Sequence, residues 1–193
     1  MKARRPASQS PHQVRIIGGQ WRRTPLPVPD KAGLRPTPAR VRETLFNWLG
    51  QQLDGWRVLD AFAGSGALGL EAASRGAAEV LLVERDAKLA ASLRATAARL
   101  KADKVQVRCG DGVAALAAAG ALDLALLDPP FDADLFDAAL AAAANAVRVG
   151  GFISLEAPRQ WSEESLAALG LRLHRHARAG EVHAHLLVRE HAA

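Results

Sequence analysis

From residue 56 onward, short apolar runs alternate with longer amphipathic stretches, and the alternation predicts strands and helices in turn. "RVLDAF" (57–62), "EVLLVE" (79–84), "KVQVRC" (104–109), "LDLALLD" (122–128) and "GFISLE" (151–156) read as strands. Between them, "GSGALGLEAASRG", "DAKLAASLRATAARL", a short stretch after Asp111 and the segment from about Asp134 to Val147 read as helices. Strands that are apolar almost throughout, joined by helices, predict a parallel sheet covered on both faces. The tail is different. "LRLHRHARA" and "VHAHLLVRE" alternate in polarity around Gly180, which predicts an antiparallel hairpin on the sheet edge. The expected fold is α/β, with five parallel strands plus that hairpin.

The segment ahead of the sheet follows another pattern. Residues 1–13 are polar and contain Pro and Ser, so a disordered basic tail is expected there. "VRIIGGQWRRTPLPVP" predicts a short strand or hairpin and an extended arm. In "RPTPARVRETLFNWLG", Thr37 suits an N-cap, Pro38 the first helical position and Gly50 the stop. Val41, Leu45, Trp48 and Leu49 share one face at helical spacing, which predicts Arg40, Arg42 and Asn47 pointing outward. The chain therefore divides into a tail (1–13), an extension (14–50) and a main domain (51–193).

Charge sharpens that division. The 193 residues carry a net +5, but residues 1–42 hold ten Lys/Arg and one acid, a net of +9. The other 151 residues hold 15 basic and 19 acidic side chains, a net of −4. A mildly acidic body with a strongly basic extension points to a polyanion, and Trp21 beside Arg22 and Arg23 adds a ring able to stack on an unpaired base. No apolar run approaches the length of a membrane span. The N-terminus lacks the apolar stretch of a secretory signal, and the single Cys109 fits a reducing compartment, so a cytoplasmic protein is expected.

Candidate chemistry begins at Gly64-x-Gly66-x-x-Gly69, directly after the first strand. Glycines there allow a tight turn and close approach of a ligand, and they aim a helix N-terminus at it. Glu84 follows Gly64 by 20 positions, the spacing at which an acid reaches a ribose diol. These features predict a nucleoside cofactor but suit both a dinucleotide and S-adenosylmethionine. Two observations favour the latter. Little chain remains for a separate substrate domain, and Asp60 precedes the glycine loop, where a carboxylate attracts an amino group and repels a pyrophosphate. Asp111 reads either as an acceptor for the adenine amine or as a helix N-cap.

The fourth strand ends in Asp128-Pro129-Pro130-Phe131. Pro lacks an N–H, so the ladder cannot continue and the carbonyls are freed, while Pro129 holds Asp128 extended. Asp is too weak a base to deprotonate an aromatic amine. As hydrogen-bond acceptors, Asp128 and the Pro129 carbonyl orient the amine's lone pair and favour the positive charge that develops on nitrogen. Phe131 then stacks on an extruded base. The alternative is a strand-ending turn. His174/His176 and His183/His185 form two pairs on the hairpin, read as exposed strand positions and not as metal ligands. No metal is expected.

In this order, "DAFAGSGALGLEA", Glu84, "GD" and "LLDPPF" resemble the S-adenosylmethionine-dependent amino-methyltransferases. Together with "RIIGGQWRRTPLPVP" and "RPTPARVRETLFNWL", the chain is similar from about Val14 to Arg189 to the RsmD-type 16S ribosomal RNA guanine-N2 methyltransferases. That family more often has a threonine and an acid where Pro38 and Ala39 stand, a departure bearing on the helix start. The resemblance implies a class I, Rossmann-like methyltransferase fold and methyl transfer to a guanine N2, at guanine 966 of 16S rRNA in assembled small subunits, by a monomer. It implies cofactor contacts from Asp60, Phe62, Gly64, Ser65, Gly66, Gly69, Glu84, Arg85, Asp111 and Gly112, and catalysis by Asp128, Pro129, Pro130 and Phe131. RNA contacts would come from Arg15, Trp21, Arg22, Arg23, Arg35, Thr37, Arg40 and Arg42. A DNA adenine-N6 or cytosine-N4 methyltransferase is the alternative reading; it shares the amine chemistry but usually carries a separate recognition domain.

Overall fold

The computed structural model describes residues 14–28 and 37–190; the tail 1–13 and Arg35 lie outside the described residues. In chain order the elements are β1 (Val14–Arg15), β2 (Pro25–Leu26), α1 (Ala39–Trp48), β3 (Arg57–Asp60), α2 (Ala67–Ser74), β4 (Glu79–Glu84) and α3 (Ala87–Leu100). They continue with β5 (Val105–Cys109), α4 (Gly112–Ala118), β6 (Leu122–Leu127), α5 (Phe136–Ala146), β7 (Val147–Ala157), α6 (Glu163–Ala167), β8 (Leu171–Ala179) and β9 (Val182–Arg189). β1 and β2 form a small antiparallel ribbon. The other seven strands make one sheet in the order β5-β4-β3-β6-β7-β9-β8, parallel from β5 to β7 and antiparallel at β9 and β8. This is the doubly wound arrangement expected of a class I methyltransferase.

Both sheet faces are covered. On one, Leu45 and Phe46 of α1 and Leu70 of α2 pack with Leu82, Leu124 and Leu126. On the other, Leu116 of α4 and Leu140 of α5 pack with Leu59, Leu127 and Ile153. Val14, Ile16 and Leu26 belong to the first cluster, so the N-terminal ribbon is built into the core and is not an appended arm. α2 is buried along its whole length, as its composition of Ala, Leu and Gly on every side requires.

Four expectations need correction. α1 begins at Ala39 with Pro38 in the cap position and no side-chain cap, so Thr37 does not cap it. Arg42 does not point outward: it is 1% exposed, because residues 42, 45, 46 and 49 form the helix face turned to the core. None of the four histidines is exposed: His185 is buried because β9 runs between β7 and β8 inside the sheet, and His174, His176 and His183 are half-buried, His176 lying 3.0 Å from His183. β7 starts at Val147 and not at Gly151, pairing with Leu122 ahead of an irregularity in the β6 register.

Candidate active site

The order of the strands reverses between β3 and β6, since the chain winds from β3 through β4 to β5 and then returns to β6 on the other side. Ligands of open parallel sheets bind at that switch point, at the carboxyl ends of the strands. Four of these strands carry an acid there: Asp60 on β3, Glu84 on β4, Asp128 just past β6 and Glu156 on β7.

The glycine loop bridges β3 and α2. Gly64 and Gly66 have φ of 52° and 78°, in the left-handed region that favours glycine. A Cβ on Gly69 would lie 2.1 Å from Leu82 Cδ2 and 3.0 Å from Asp60 Oδ2, so the first turn of α2 can press onto β3 and β4 only as glycine. The Gly69 N–H donates to Asp60 Oδ2 at 3.0 Å, and the Gly64 N–H donates to Glu84 Oε2 at 2.9 Å. The 20-residue spacing between Gly64 and Glu84 is thus a direct contact. Glu84 also accepts from the Asp86 amide at 2.8 Å. Burial pushes the Asp60 carboxyl up to about 7, against the Gly69 amide, with Asp128 raising it further.

The remaining predicted cofactor residues surround this loop. Ser65 is buried, Phe62 is half-buried against the second core cluster, and Arg85 is exposed with its carbonyl facing Cys109. Asp111 accepts from the Ala114 amide at 2.8 Å and caps α4, while its side chain remains exposed. A Cβ on Gly112 would sit 2.0 Å from the Ala61 carbonyl oxygen, so α4 closes on the segment after Asp60 through a bare glycine. Acceptors for an amino group and a diol and a glycine turn open to a ligand stand together at one crevice, which fits S-adenosylmethionine.

Asp128 to Phe131 lie beyond the last residue of β6, and the Pro130 carbonyl accepts from the Ala133 amide at 3.0 Å to close a turn. Pro129 is buried and Phe131 is 44% exposed. Thr37 Oγ1 donates to Asp128 Oδ2 at 3.5 Å. Burial raises the Asp128 carboxyl to about 6 and the Thr37 hydroxyl opposes the rise. Behind Phe131 runs an aromatic series: Phe136 lies 6.1 Å away, Trp161 lies 5.8 Å from Phe136, and the Arg159 guanidinium covers Trp161 at 4.4 Å. His185 anchors the series. Its Nε2 accepts from the Trp161 amide at 3.3 Å and its Nδ1 lies 3.2 Å from the Leu155 carbonyl, an arrangement that requires the neutral Nδ1–H form.

The predicted RNA-binding residues separate into groups. Thr37 stands at the catalytic edge, and Arg40 is exposed on the first turn of α1 close by. Trp21, Arg22 and Arg23 lie in a turn held by Ser74, at the opposite end of α2 from the glycine loop, about 12 Å along its axis. Trp21 is half-buried against the core; Arg15, Arg22 and Arg23 are exposed. A cavity of about 950 Å³ opens beside this turn and includes Trp21, Arg22, Lys101 and Lys104 in its lining. Arg42 is withdrawn from any ligand: it donates to Glu71 Oε2 at 3.4 Å and to the Arg15 carbonyl at 3.0 Å.

Glu156 and the aromatic series were not singled out from the sequence. For Glu156 a signal was present, since "GFISLE" ends on an acid as "RVLD", "EVLLVE" and "LDLALLD" do.

A sequence model of the family described as "Conserved hypothetical protein 95" matches residues 14–188. Ribosomal RNA small subunit methyltransferase D of Escherichia coli K12 is 39% identical, over 97% of this chain and 96% of that one. The chain belongs to that family. The same enzyme of Haemophilus influenzae is 41% identical over 66% of this chain and 69% of its own length. Among solved structures, the Escherichia coli protein yhhF superposes with a TM-score of 0.81 at 40% identity, covering 92% of this chain and 98% of that one. The Thermus thermophilus 16S rRNA N2 G1207 methyltransferase, solved with AdoMet and guanosine, gives 0.71 at 28% identity, covering 93% of this chain and 50% of that one.

Proposed function

We propose that the protein transfers a methyl group from S-adenosylmethionine to the N2 of a guanine in 16S ribosomal RNA, at position 966 in assembled small subunits. Membership of the methyltransferase D family supports the reaction class and the ribosomal RNA substrate. The observation that carries the chemistry is the placing of Asp128, freed from the β6 ladder by two prolines, across the switch point from Asp60 and the glycine loop.

S-adenosylmethionine supplies an electrophilic sulfonium methyl. Asp60, Gly64, Gly66, Gly69, Glu84, Asp111 and their neighbours Phe62, Ser65, Arg85 and Gly112 would hold it. Asp60 receives the amino group and Glu84 the ribose. Glu84 keeps lone pairs free for this, because two backbone amides occupy one each. Asp128 and the Pro129 carbonyl accept from the guanine amine and direct its lone pair, and Phe131 stacks on the base. As the nitrogen becomes cationic it becomes acidic, and its proton leaves to solvent or to Asp128.

Arg22, Arg23, Arg40 and Arg15, with Trp21 and the Lys101/Lys104 rim, supply the polyanion surface; Arg35 adds a further basic residue in the extension. The proposed active form is a monomer. Among the described residues no helix is long and apolar enough to cross a membrane. A ribosomal substrate assigns the protein to the cytoplasm.

The test uses labelled S-adenosylmethionine with naked 16S RNA, small subunits and duplex DNA in parallel, and identifies modified nucleosides by mass. N2-methylguanosine in the ribosomal substrate is expected. Label recovered as N6-methyladenine or N4-methylcytosine in DNA overturns the reading.

A further inference from the structure

Glu156 has no part in the chemistry above, yet it occupies the position beside Asp128. Leu127 of β6 is in register with Leu155 of the parallel strand β7, so the next residues, Asp128 and Glu156, lie side by side. Partners in register point to the same face, and here it is the face that Asp60 shares through its register with Leu126. Thr37 stands by both acids: its hydroxyl is 3.5 Å from Asp128 Oδ2 and holds the Glu156 carboxyl down as well. Glu156 is 6% exposed and sits at the carboxyl edge, where an extruded base has to enter.

We infer that Glu156 is the guanine-specificity residue of this site, pairing with the O6 and N1–H of the base while Asp128 holds its N2 amine. The inference rests on the proposed guanine-N2 reaction.

The Watson–Crick edge of guanine presents two donors and then an acceptor: the N2 amine, N1–H and O6. With the amine on Asp128, the adjacent strand must offer an acceptor and a donor to the two atoms that remain. A neutral carboxyl offers that pair, its C=O accepting from N1–H and its O–H donating to O6. An ionised one offers acceptors only and repels O6.

The surroundings keep Glu156 neutral. Burial raises its carboxyl to about 8, Asp128 raises it further and Asp60 adds to this, while the Thr37 hydroxyl and the Arg42 guanidinium pull the other way. On β9 the facing residue is Ala184, which carries no charge. Arg42 is committed to Glu71 and to carbonyls of the N-terminal segment, and among the described residues no cation forms an ion pair with Glu156.

The same pair rejects other amines. Adenine with N6 on Asp128 presents N1, an acceptor, and then C2–H, which makes one hydrogen bond and leaves the carboxyl C=O against a carbon. Cytosine presents two acceptors in a row, and its O2 meets the C=O. A site built for a hydrogen-bonding group rejects analogues that leave its own polar atoms unpaired.

The experiment compares wild type, Glu156→Gln and Glu156→Ala on small subunits, recording kcat/KM from pH 6 to 9.5 and S-adenosylmethionine binding by calorimetry. Glutamine keeps one donor and one acceptor but cannot ionise. Wild type is expected to lose activity above about pH 8, Gln to retain activity with that limb absent, and Ala to fall roughly 10- to 100-fold in kcat/KM. Cofactor affinity should be the same in all three, which separates a lost base contact from a lost fold. Gln as impaired as Ala, or an alkaline limb unchanged in Gln, overturns the inference while wild-type N2-methylguanosine leaves the proposed reaction standing. A wild-type product other than N2-methylguanosine overturns both.

Discussion

Arg42 and Glu71 form an ion pair at 3.4 Å in which both side chains are buried, 2% and 0% exposed. Glu71 is the hub of a larger group. Its oxygens also accept from the Ile17 and Gly18 amides at 2.7 and 2.8 Å and from the Arg75 guanidinium at 2.8 Å. Arg75 in turn lies over the Phe46 ring at 4.7 Å. One carboxylate on α2 therefore fastens the N-terminal ribbon, α1 and the end of α2 together. An arginine in the motif "PARVRETLF" is thereby spent on structure, and burial lowers its pKa while Glu71 partly restores it.

Glu71→Ala should destabilise the protein by about 3–5 kcal/mol, because it strands two buried guanidinium groups and two amides. Denaturant unfolding measures this. Arg42→Ala should cost stability in the same way and leave RNA affinity of the folded fraction within about twofold. A large loss of RNA affinity in a fully folded Arg42→Ala protein returns Arg42 to the RNA-binding surface.

The three raised carboxyls set a pH dependence of stability. Asp60, Asp128 and Glu156 titrate near 7, 6 and 8 when folded, against about 4 unfolded. Between those values the folded chain binds more protons than the unfolded one, so stability falls as pH rises. The loss begins near pH 4 and is complete once the folded values are passed. Asp60→Asn keeps an acceptor for the Gly69 amide and removes the ionisation. Its unfolding free energy should exceed that of wild type by an amount that grows from pH 4 to about 7 and then levels near roughly 4 kcal/mol. S-adenosylmethionine binding should be lost in the same protein, since the amino group loses its carboxylate. A variant less stable than wild type at pH 8 contradicts this account.

Ionised, Asp128 accepts from the amine and also favours the positive charge that develops on its nitrogen, which a neutral carboxyl does not. Activity on small subunits should therefore fall as pH drops through about 6, and Asp128→Ala should lower kcat by roughly 100- to 1,000-fold, as removal of one oriented polar group does elsewhere. Cofactor affinity should stay within about threefold. Single-turnover transfer across pH 4.5 to 8 gives both quantities. An acid limb at the ordinary aspartate value, or a fully active Ala variant, would show that Asp128 does not hold the amine.

The sheet was legible because most of its parallel strands are short apolar runs bounded by turns, and its last two strands alternate in polarity about Gly180. The cofactor crevice was legible for a related reason: only a glycine run and a charge can sit where apolar strands stop. Arg42 was misread because helix position alone does not tell a snorkelling cation from a buried one; Glu71, its partner, lies 29 residues away on a helix with no other charge. Glu156 was passed over although it ends its strand as Asp128 does. Its meaning depends on which strands are neighbours, and the β6–β7 register appears only in three dimensions. The histidines misled through the same gap, since alternation placed them on faces but could not say that β9 is an interior strand.

The basic turn at the far end of α2 leads to the last prediction. Arg22 and Arg23 are exposed, and Arg22 shares the rim of a large polar cavity with Lys101 and Lys104. This turn is about 12 Å along α2 from the glycine loop, too far to touch the target base. In the proposed RNA interface its contacts would be to phosphates flanking the target. Such contacts fix register and carry no base information, and each one lost reduces the salt slope of binding by about 1. Arg22→Ala combined with Arg23→Ala should weaken 16S RNA binding at 50 mM salt, flatten the dependence of log K on log salt by about 2, and leave the identity of the methylated nucleoside unchanged. Arg40→Ala, on the first turn of α1 three residues from Thr37, should flatten the slope by about 1 and also lower kcat, because the proposed reaction brings the target nucleotide to Asp128 beside Thr37. An unchanged salt slope in the double variant would remove the turn from the RNA interface, and the basic extension would then have to act through Arg15, Arg40 and the residues ahead of β1.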